Sequence, residues 1–190
     1  ENCSVSWSNF YLDFSKNRFS NNTFKLLTNL CEETDLKNNI DQYFNGAIIN
    51  ETESRAVLHT ALRSSGNDVV DKTLNKIINM SDEINNAKRL GYSGKKITDV
   101  VNIGIGGSHL GPEMVTEALG YYSNGVKPHF ISNIDPDFTS KLLKDLNPET
   151  TIFIIVSKTF TTIETLENAN KVRAWFIDNA SEVAIKDHFI

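Results

Sequence analysis

The feature that most constrains the fold is a pattern of strand, turn and helix that occurs three times after residue 97. Short apolar runs at residues 99–105, 129–134 and 151–156 each end at a turn that a helical segment follows. Strands connected through helices pair in parallel, because the helix carries the chain back to the starting edge of the sheet. The pattern therefore predicts an α/β fold with a doubly wound parallel sheet.

The sheet is expected to be incomplete at its C-terminal end. The third run, Thr151–Val156, is apolar on both faces, which is typical of a strand that helices cover on both sides. Three parallel strands leave an open edge, and open edges pair readily with further strands. Phe189-Ile190 resembles the first step of a fourth strand, so further sequence or a second chain would finish the sheet.

Three helix starts can be placed from residues that favour helix N-termini. Pro112 suits the first turn of the helix after the first strand, where a missing N–H has no cost. Asp135 followed by Pro136 predicts the N-cap and first residue of the second helix. Thr161 with Glu164 predicts a capping box at the start of the third.

The residues before this pattern are expected to form helices and loops. Thr23–Leu30 has apolar residues at helical spacing. Asn50 with Glu53 three residues later predicts a capping box that opens a helix through Arg63. Residues 69–88 predict a further amphipathic helix. We therefore divide the chain into a helical N-terminal region, residues 1–70, and a sheet domain, residues 71–190.

Composition excludes several classes of protein. The chain has 190 residues, of which 39% are hydrophobic, and a formal net charge of −5, and no segment concentrates the Lys and Arg that nucleic acids require. No apolar run reaches the roughly 20 residues that cross a bilayer. Cys3 and Cys31 lie far apart without metal-site spacing, so a zinc site or disulfide is not expected. The first residues do not resemble a signal peptide, and we expect a cytoplasmic protein.

Glycines follow the first strand, at Gly104–Gly111. Ligands bind at the carboxyl ends of parallel strands, and glycines there let the backbone and the next helix start approach an anion. A dinucleotide fingerprint that starts at Gly104 places His109 where the third glycine belongs. A nucleotide-binding P-loop from Gly106 would need Lys where Pro112 stands. The loop alone is therefore a weak signal for an anion site.

Hydroxyl groups crowd the turn after the third strand. Four of the six residues Ser157–Thr162 are Ser or Thr, and they precede a helix start. Hydroxyls and helix-start amides can together bind one tetrahedral oxyanion. Ordinary capping also favours Ser and Thr, but a cap needs one or two hydroxyls rather than four. We therefore expect a phosphate-type site at this turn.

Two segments, Val101–Ser108 and Ser157–Thr162, closely resemble the phosphate-binding segments of the glucose-6-phosphate isomerase family. Arg55–His59 and Ile97–Val101 resemble its upstream segments. The similarity runs from about residue 50 to about residue 178, and the first 45 residues match loosely. The chain is thus identified as an N-terminal portion of a family member, with most of the first sugar-isomerase (SIS) domain.

The resemblance implies which residues bind the substrate phosphate. The hydroxyl groups, a backbone amide and the first loop would contribute, from Ser157, Thr159, Thr162, Lys158, Gly107 and Ser108. The family usually has Gln where this chain has Ile163 and often Asp where it has His109. These differences affect the finer substrate contacts rather than the substrate class. From the sequence alone His109 is also a candidate catalytic residue, but we favour its interpretation as a polar loop residue.

The resemblance also implies the reaction, the reversible conversion of glucose 6-phosphate and fructose 6-phosphate in glycolysis and gluconeogenesis. The family uses no metal or cofactor and forms homodimers. Its acid–base residues belong to segments C-terminal to residue 190, so we assign no catalytic residue here and expect this segment alone to be inactive. The partner is a small sugar phosphate, with no nucleic acid and no membrane.

Two other functions remain open at this stage. A non-catalytic SIS module that senses a sugar phosphate would have similar loops, but such modules usually carry a basic helix-turn-helix segment. A nicotinamide-dependent dehydrogenase would use Asp135 as its ribose-binding acid, and the glycine spacing argues against it.

Overall fold

The computed structural model describes residues 3–64, 66–123 and 125–190. The chain divides into two compact units, with the boundary between Asp71 and Lys72. That boundary lies close to the expected one after residue 70. The assignment of residues 71–190 to a first sugar-isomerase domain stays a prediction.

The first unit contains a β-hairpin and two helices. Strands β1 (Ser4–Trp7) and β2 (Phe10–Asp13) pair antiparallel, and the Trp7 and Phe10 rings stack with centroids 5.1 Å apart. The prediction of helices and loops alone was wrong here, because strands of four mostly exposed residues leave no apolar alternation to recognise. Helices α1 (Asn21–Glu33) and α2 (Leu36–Phe44) follow, and α1 confirms the helix expected at Thr23–Leu30.

The helix expected from Asn50 to Arg63 was wrong. The Asn50 side chain does accept from the Glu53 amide at 3.2 Å, as a capping residue would. However, Ser54 has a φ of 51°, outside the helical region, and Arg55 pairs back onto Asn50 as an antiparallel bridge. The contact therefore closes a turn, and the helical part is one 3₁₀ turn, His59–Leu62.

Three parallel strands form the sheet of the second unit. Strand β3 (Asp99–Ile103) lies between β4 (Lys127–Ile131) and β5 (Thr151–Ile155). Strand β4 starts two residues before the expected run because Pro128 is tolerated on an edge strand. The helices are α3 (Asp68–Asn85), which starts before the boundary, then α4 (Gly107–Ala118), α5 (Pro136–Lys144), α6 (Ile163–Asn179) and α7 (Ile185–His188), with a 3₁₀ turn at Gly120–Tyr122.

The core lies on both faces of this sheet. On one face Phe153 packs with Val172 and Phe176 of α6, and all three are fully buried. On the other face Ile152 packs with Ile84 of α3. Neighbouring residues of a strand point to opposite faces, so β5 serves both layers. This arrangement confirms the α/β parallel sheet that the apolar runs predicted.

The outer edge of β5 has a partner. The Ile190 amide donates to the Phe153 carbonyl at 2.9 Å, and the Ile155 amide donates to the Ile190 carbonyl at 3.0 Å. Phe189 and Phe153 form a parallel bridge. Phe189-Ile190 therefore takes up the first step of a further parallel strand, as the sequence predicted.

The structure bears on three features, which are the cysteines, membrane-spanning helices and groups of metal-binding side chains. Cys3 and Cys31 are free thiols. In the part of the chain that the structure describes, no helix is long and apolar enough to span a membrane. The same residues contain no group of three or more His, Cys, Asp or Glu side chains arranged to hold a metal ion.

Candidate functional site

The helices α4, α5 and α6 all start at the carboxyl edge of the sheet, after β3, β4 and β5 respectively. Because β3 and β5 are neighbours, the loops that follow them are neighbours too. The Val156 amide donates to the Ile103 carbonyl at 2.8 Å, which extends the pairing up to this edge. The sheet thus brings the glycine loop and the hydroxyl-rich turn side by side.

The start of α5 is capped by its own side chain. One carboxylate oxygen of Asp135 accepts from the amides of Asp137 at 2.9 Å and Phe138 at 3.2 Å. This confirms the predicted N-cap at Asp135-Pro136 and places a negative charge at the positive end of the helix. The contacts give Asp135 a structural role as a helix cap, which accounts for an acid at this position without a ribose.

The start of α4 has no side chain to cap it. Its N-cap is Gly106, with φ 58° and ψ −122°, a backbone conformation that favours glycine. The amides of Ser108 and His109 donate to the Ile105 and Gly106 carbonyls at 3.1 and 3.0 Å. Among the described residues, the Gly107 amide has no such acceptor and is available to an anion.

Helix α4 also begins earlier than expected. The prediction of Pro112 in its first turn was wrong, since the helix starts at Gly107 and Pro112 is its sixth residue. An interior proline removes one helical hydrogen bond. The Asn102 side-chain amide donates instead to the Ser108 carbonyl, at 3.0 Å.

Gly104 allows the two loops to meet. A Cβ at this position would lie 2.8 Å from both the Cβ and the carbonyl oxygen of Ser108, and 3.1 Å from the Val156 carbonyl oxygen. Distances below 3.0 Å do not occur between such atoms without movement of the backbone. Glycine therefore lets Ser108 and Val156 both pack against the end of β3.

The start of α6 differs from α5 although both follow a strand at the same edge. Its N-cap is Thr162, so the capping box expected at Thr161 and Glu164 was wrong. The Thr162 side chain makes no capping bond, and its hydroxyl lies 3.3 Å from the Ser157 hydroxyl. The first α-helical bond runs from the Leu166 amide to the Thr162 carbonyl. The amides of the first turn are therefore left without helical acceptors.

The turn itself is tightly closed. Phe160 has a φ of 57°, and its amide donates to the Ser157 hydroxyl oxygen at 3.1 Å. The Thr159 and Thr161 hydroxyls lie 2.7 Å apart on the same turn. The four hydroxyls therefore form two pairs, Ser157 with Thr162 and Thr159 with Thr161.

Some of the predicted binding residues have side chains in contact, whereas others lie on neighbouring loops without side-chain contact. Ser157 and Thr162 are in contact and half-buried, whereas Lys158 and Thr159 are exposed on the turn. Gly107 and Ser108 lie on the neighbouring helix start, which reaches the turn through Gly104 and Val156. Among the described contacts, no hydrogen bond joins Ser108 to the hydroxyls of the turn.

His109 lies in the first turn of α4, with its side chain largely covered. Its Nε2 atom is 3.2 Å from a carboxylate oxygen of Glu113, one helical turn later. Its ring meets Phe130 edge-on, with centroids 5.7 Å apart. The expectation of a loop residue was wrong, since His109 lies inside helix α4.

Two residues near the site were not recognised from the sequence. Asn102 lies within an otherwise apolar strand, and no local pattern links it to Ser108. Thr165, in the first turn of α6, is 1% exposed, and its hydroxyl has no hydrogen-bond partner among the described residues. Nothing in the T-x-x-E-T sequence around Thr165 indicates that its hydroxyl would be buried without a partner.

A comparison with known families decides the relationship of the chain. The model of the phosphoglucose isomerase family matches residues 13–190. The chain belongs to the phosphoglucose isomerase family. The match starts before and ends after the segment of about residues 50–178 that looked similar by motif, so the family relationship includes most of the first unit.

Two curated relatives from the phosphoglucose isomerase family are about half identical to this chain in sequence. The glucose-6-phosphate isomerase of Christiangramia forsetii is 50% identical over 201 positions, covering 100% of this chain and 37% of the relative. The glucose-6-phosphate isomerase of Buchnera aphidicola subsp. Schizaphis graminum is 48% identical over 190 positions, covering 94% and 34%. The chain thus spans little more than a third of the length of these relatives. Both names are those of an enzyme, which does not favour a non-catalytic sensor.

A solved structure agrees with the fold. The crystal structure of a glucose-6-phosphate isomerase from Chlamydia trachomatis matches 98% of this chain and 38% of its own, with a TM-score of 0.71 and 28% identity. The phosphoglucose isomerase family assignment therefore holds for the sequence and for the fold, which is of the SIS type.

Proposed function

We propose that the protein to which this chain belongs is a glucose-6-phosphate isomerase that interconverts glucose 6-phosphate and fructose 6-phosphate. It would act in glycolysis and gluconeogenesis, in the cytoplasm and as a homodimer. Within it, this chain supplies the residues that bind the substrate phosphate. The names and family of the relatives support the reaction, and the geometry at the carboxyl edge of the sheet supports the role of this chain.

The observation that carries the proposal is the unused cap at Thr162. Two of the three helices at this edge, α4 and α6, start without a side-chain cap, and they follow neighbouring strands. Each helix start carries free amides and the positive end of a dipole, so two anion-attracting groups follow neighbouring strands at this edge. The third helix, α5, carries its own carboxylate. Uncapped amides and hydroxyls are hydrogen-bond donors, and together they suit the several acceptor oxygens of a phosphate.

The donors match a phosphate in number and kind. The hydroxyls of Ser157, Thr159 and Thr162 and the Gly107 amide can each donate to a phosphate oxygen. A hydrogen bond to a charged group contributes about 1.5–3 kcal/mol, so several such bonds give useful affinity without a metal ion. Helix α6 has 17 residues, long enough for its dipole to add to this attraction.

In the proposed reaction the phosphate is remote from C1 and C2, between which the proton moves. Holding the phosphate fixes the distance and orientation of the reacting carbons relative to the acid–base groups. Binding energy used for positioning in this way can lower a barrier by several kcal/mol. We assign no catalytic residue to this chain, and its residues act by binding and orientation.

The double variant Ser157→Ala with Thr159→Ala tests the proposal in the full-length protein. We expect KM for fructose 6-phosphate to rise at least about tenfold, since two donors to the phosphate are lost. A crystal soaked with fructose 6-phosphate should show its phosphate between the first turns of α4 and α6. Unchanged kinetics, or a phosphate bound elsewhere, would contradict the proposal.

A further inference from the structure

The Ser108 carbonyl has an unusual hydrogen-bond partner. In an α-helix this carbonyl would accept from the amide four residues later, which is position 112. Position 112 is proline, which has no N–H and whose ring crowds the carbonyl four residues before it. Without another donor, a polar group at the base of the candidate site would be left unpaired, at a cost in stability.

Asn102 supplies that donor from outside the helix. Its Nδ2 atom lies 3.0 Å from the Ser108 carbonyl oxygen. Asn102 belongs to β3, the central strand, where its neighbours in register are Phe130 and Ile154. A strand that is paired on both sides is a rigid base for a side chain. The first turn of α4 is therefore fixed to the sheet at Ser108.

The same strand also fixes the second loop. The Ile103 carbonyl accepts from the Val156 amide, and at Gly104 an added Cβ would meet both Ser108 and Val156. A helical bond from position 112 would tie Ser108 only to its own helix. The bond from Asn102 ties it to the strand that also fixes the start of the hydroxyl-rich turn.

We propose that Asn102 is a positioning residue of the phosphate site, which holds Ser108 by its carbonyl because Pro112 removes the helical donor. In this way Asn102 keeps the Ser108 hydroxyl and the Gly107 amide at a fixed distance from the hydroxyl-rich turn. The inference rests on the proposed function, since it assumes that these groups bind the substrate phosphate. Asn102 itself need not touch the phosphate.

Restoring the helical donor tests this role. In the full-length protein, Asn102→Ala should raise KM for fructose 6-phosphate about tenfold and lower the melting temperature, because Ser108 loses its anchor. Adding Pro112→Ala supplies an amide at position 112 that can reach the Ser108 carbonyl. The double variant should return KM to within about threefold of the wild type.

Asn168 offers a matched control. Its Nδ2 atom donates to the Asn133 carbonyl at the same distance, 3.0 Å, but this acceptor belongs to the loop between β4 and α5, which holds none of the residues that we assign to the phosphate. Asn168→Ala removes a bond of the same kind, so the melting temperature should fall as in Asn102→Ala. KM should stay within about twofold of the wild type, well below the tenfold rise that we expect for Asn102→Ala, in which contacts to the phosphate are weakened.

Several outcomes would overturn the inference. A lower melting temperature with unchanged KM in Asn102→Ala would make Asn102 structural only, and so would recovery of stability without recovery of KM in the double variant. If Asn102→Ala does not fold, Pro112→Ala and the double variant can be compared, since both carry a donor for Ser108. Their KM values should agree within about threefold, and a tenfold difference would show that Asn102 acts by another route.

The same assay separates this inference from the proposed function. A raised KM in Ser157→Ala with Thr159→Ala beside an unchanged KM in Asn102→Ala would overturn the positioning role and leave the proposed function standing. An unchanged KM in the Ser157 and Thr159 variant would remove the proposed function and the inference with it.

Discussion

The Thr162 hydroxyl lies 3.3 Å from the Ser157 hydroxyl, although Thr162 is the N-cap of α6 and its side chain would ordinarily bond to that helix. In α5 the equivalent residue, Asp135, does cap, and accepts from two amides. The two helices start at the same edge of one sheet. The start of α5 is thus stabilised by its own side chain, whereas the start of α6 lacks such a cap and is where we propose that an external anion binds.

Removing the Thr162 hydroxyl should therefore affect binding more than stability. Thr162→Val keeps the side-chain shape and deletes a donor that we assign to the phosphate. We expect KM for fructose 6-phosphate to rise about tenfold in the full-length protein, with a change in the free energy of unfolding below about 1 kcal/mol. Steady-state kinetics and chemical denaturation measure the two quantities.

Asp135→Ala is the matched control for this prediction. It removes a side chain that really caps, so the free energy of unfolding should fall by about 1 kcal/mol. KM should change little, because Asp135 belongs to the capped helix. A KM effect in Asp135→Ala as large as in Thr162→Val would contradict the distinction between the two helix starts.

A variant at Thr165 should also affect stability and substrate binding in opposite directions. Its hydroxyl is buried and lacks a partner among the described residues, which costs about 1–3 kcal/mol in the unliganded protein. Helical side chains tilt toward the N-terminus of their helix, which for Thr165 is the side of the hydroxyl-rich turn. Thr165→Val should stabilise the full-length protein by about 1 kcal/mol. It should also raise KM several-fold, since the phosphate that we propose beside this turn would offer the hydroxyl a partner.

Thr139 provides the comparison. Its hydroxyl is likewise buried and without a partner in the described structure, but it belongs to α5, whose start Asp135 occupies. Thr139→Val should raise the melting temperature and leave KM unchanged. Loss of stability in Thr165→Val, or equal KM values in both variants, would show that the Thr165 hydroxyl has no part in binding.

The sheet could be predicted from the sequence because its information is local. Thr151–Val156 is apolar on both faces, and Asp135-Pro136 contains its whole capping signal in two residues. The start of α4 could not be predicted in this way. Pro112 usually marks a first turn, and its place inside the helix depends on a donor from Asn102, on a different element. Tertiary contacts of this kind leave no periodic pattern.

The candidate site was predicted as a set of residue types rather than as a geometry. Ser and Thr at a strand-to-helix turn indicated an anion site, but their pairing depends on the left-handed backbone at Phe160. That conformation is uncommon for a bulky residue and so was not expected. In the same turn the N-cap is Thr162, whose hydroxyl lies beside that of Ser157.

Gly104→Ala tests the close approach of the two loops. The added Cβ would lie 2.8 Å from Ser108 backbone and side-chain atoms, so the first turn of α4 must move. We expect a loss of about 1–3 kcal/mol in the free energy of unfolding and a higher KM. Gly120→Ala is the control, since nothing lies within 4 Å of its added Cβ and its φ is outside the left-handed region. The lower entropy of the unfolded chain should make that variant up to about 1 kcal/mol more stable, and a loss like that of Gly104→Ala would contradict the steric argument.

His188 tests how the C-terminal end of the chain is fixed to the sheet. The ring is fully buried, with Nδ1 2.6 Å from the Thr151 carbonyl oxygen and Nε2 accepting from the Tyr92 amide at 2.9 Å. A carbonyl requires a donor and an amide requires an acceptor, so these partners select the neutral tautomer with its proton on Nδ1. Nitrogen NMR of the full-length protein should show a protonated Nδ1 and an unprotonated Nε2 at neutral pH.

Loss of this ring should be costly for stability. His188→Ala leaves the Thr151 carbonyl and the Tyr92 amide without their partner and opens a cavity beside Phe176, whose ring centroid is 5.0 Å from that of His188. We expect the free energy of unfolding to fall by about 3 kcal/mol or more, measured by urea denaturation. His188→Asn can still donate to Thr151 and should lose less than His188→Ala. Equal losses in the two variants would mean that packing, rather than the paired hydrogen bonds, holds this part of the chain in place.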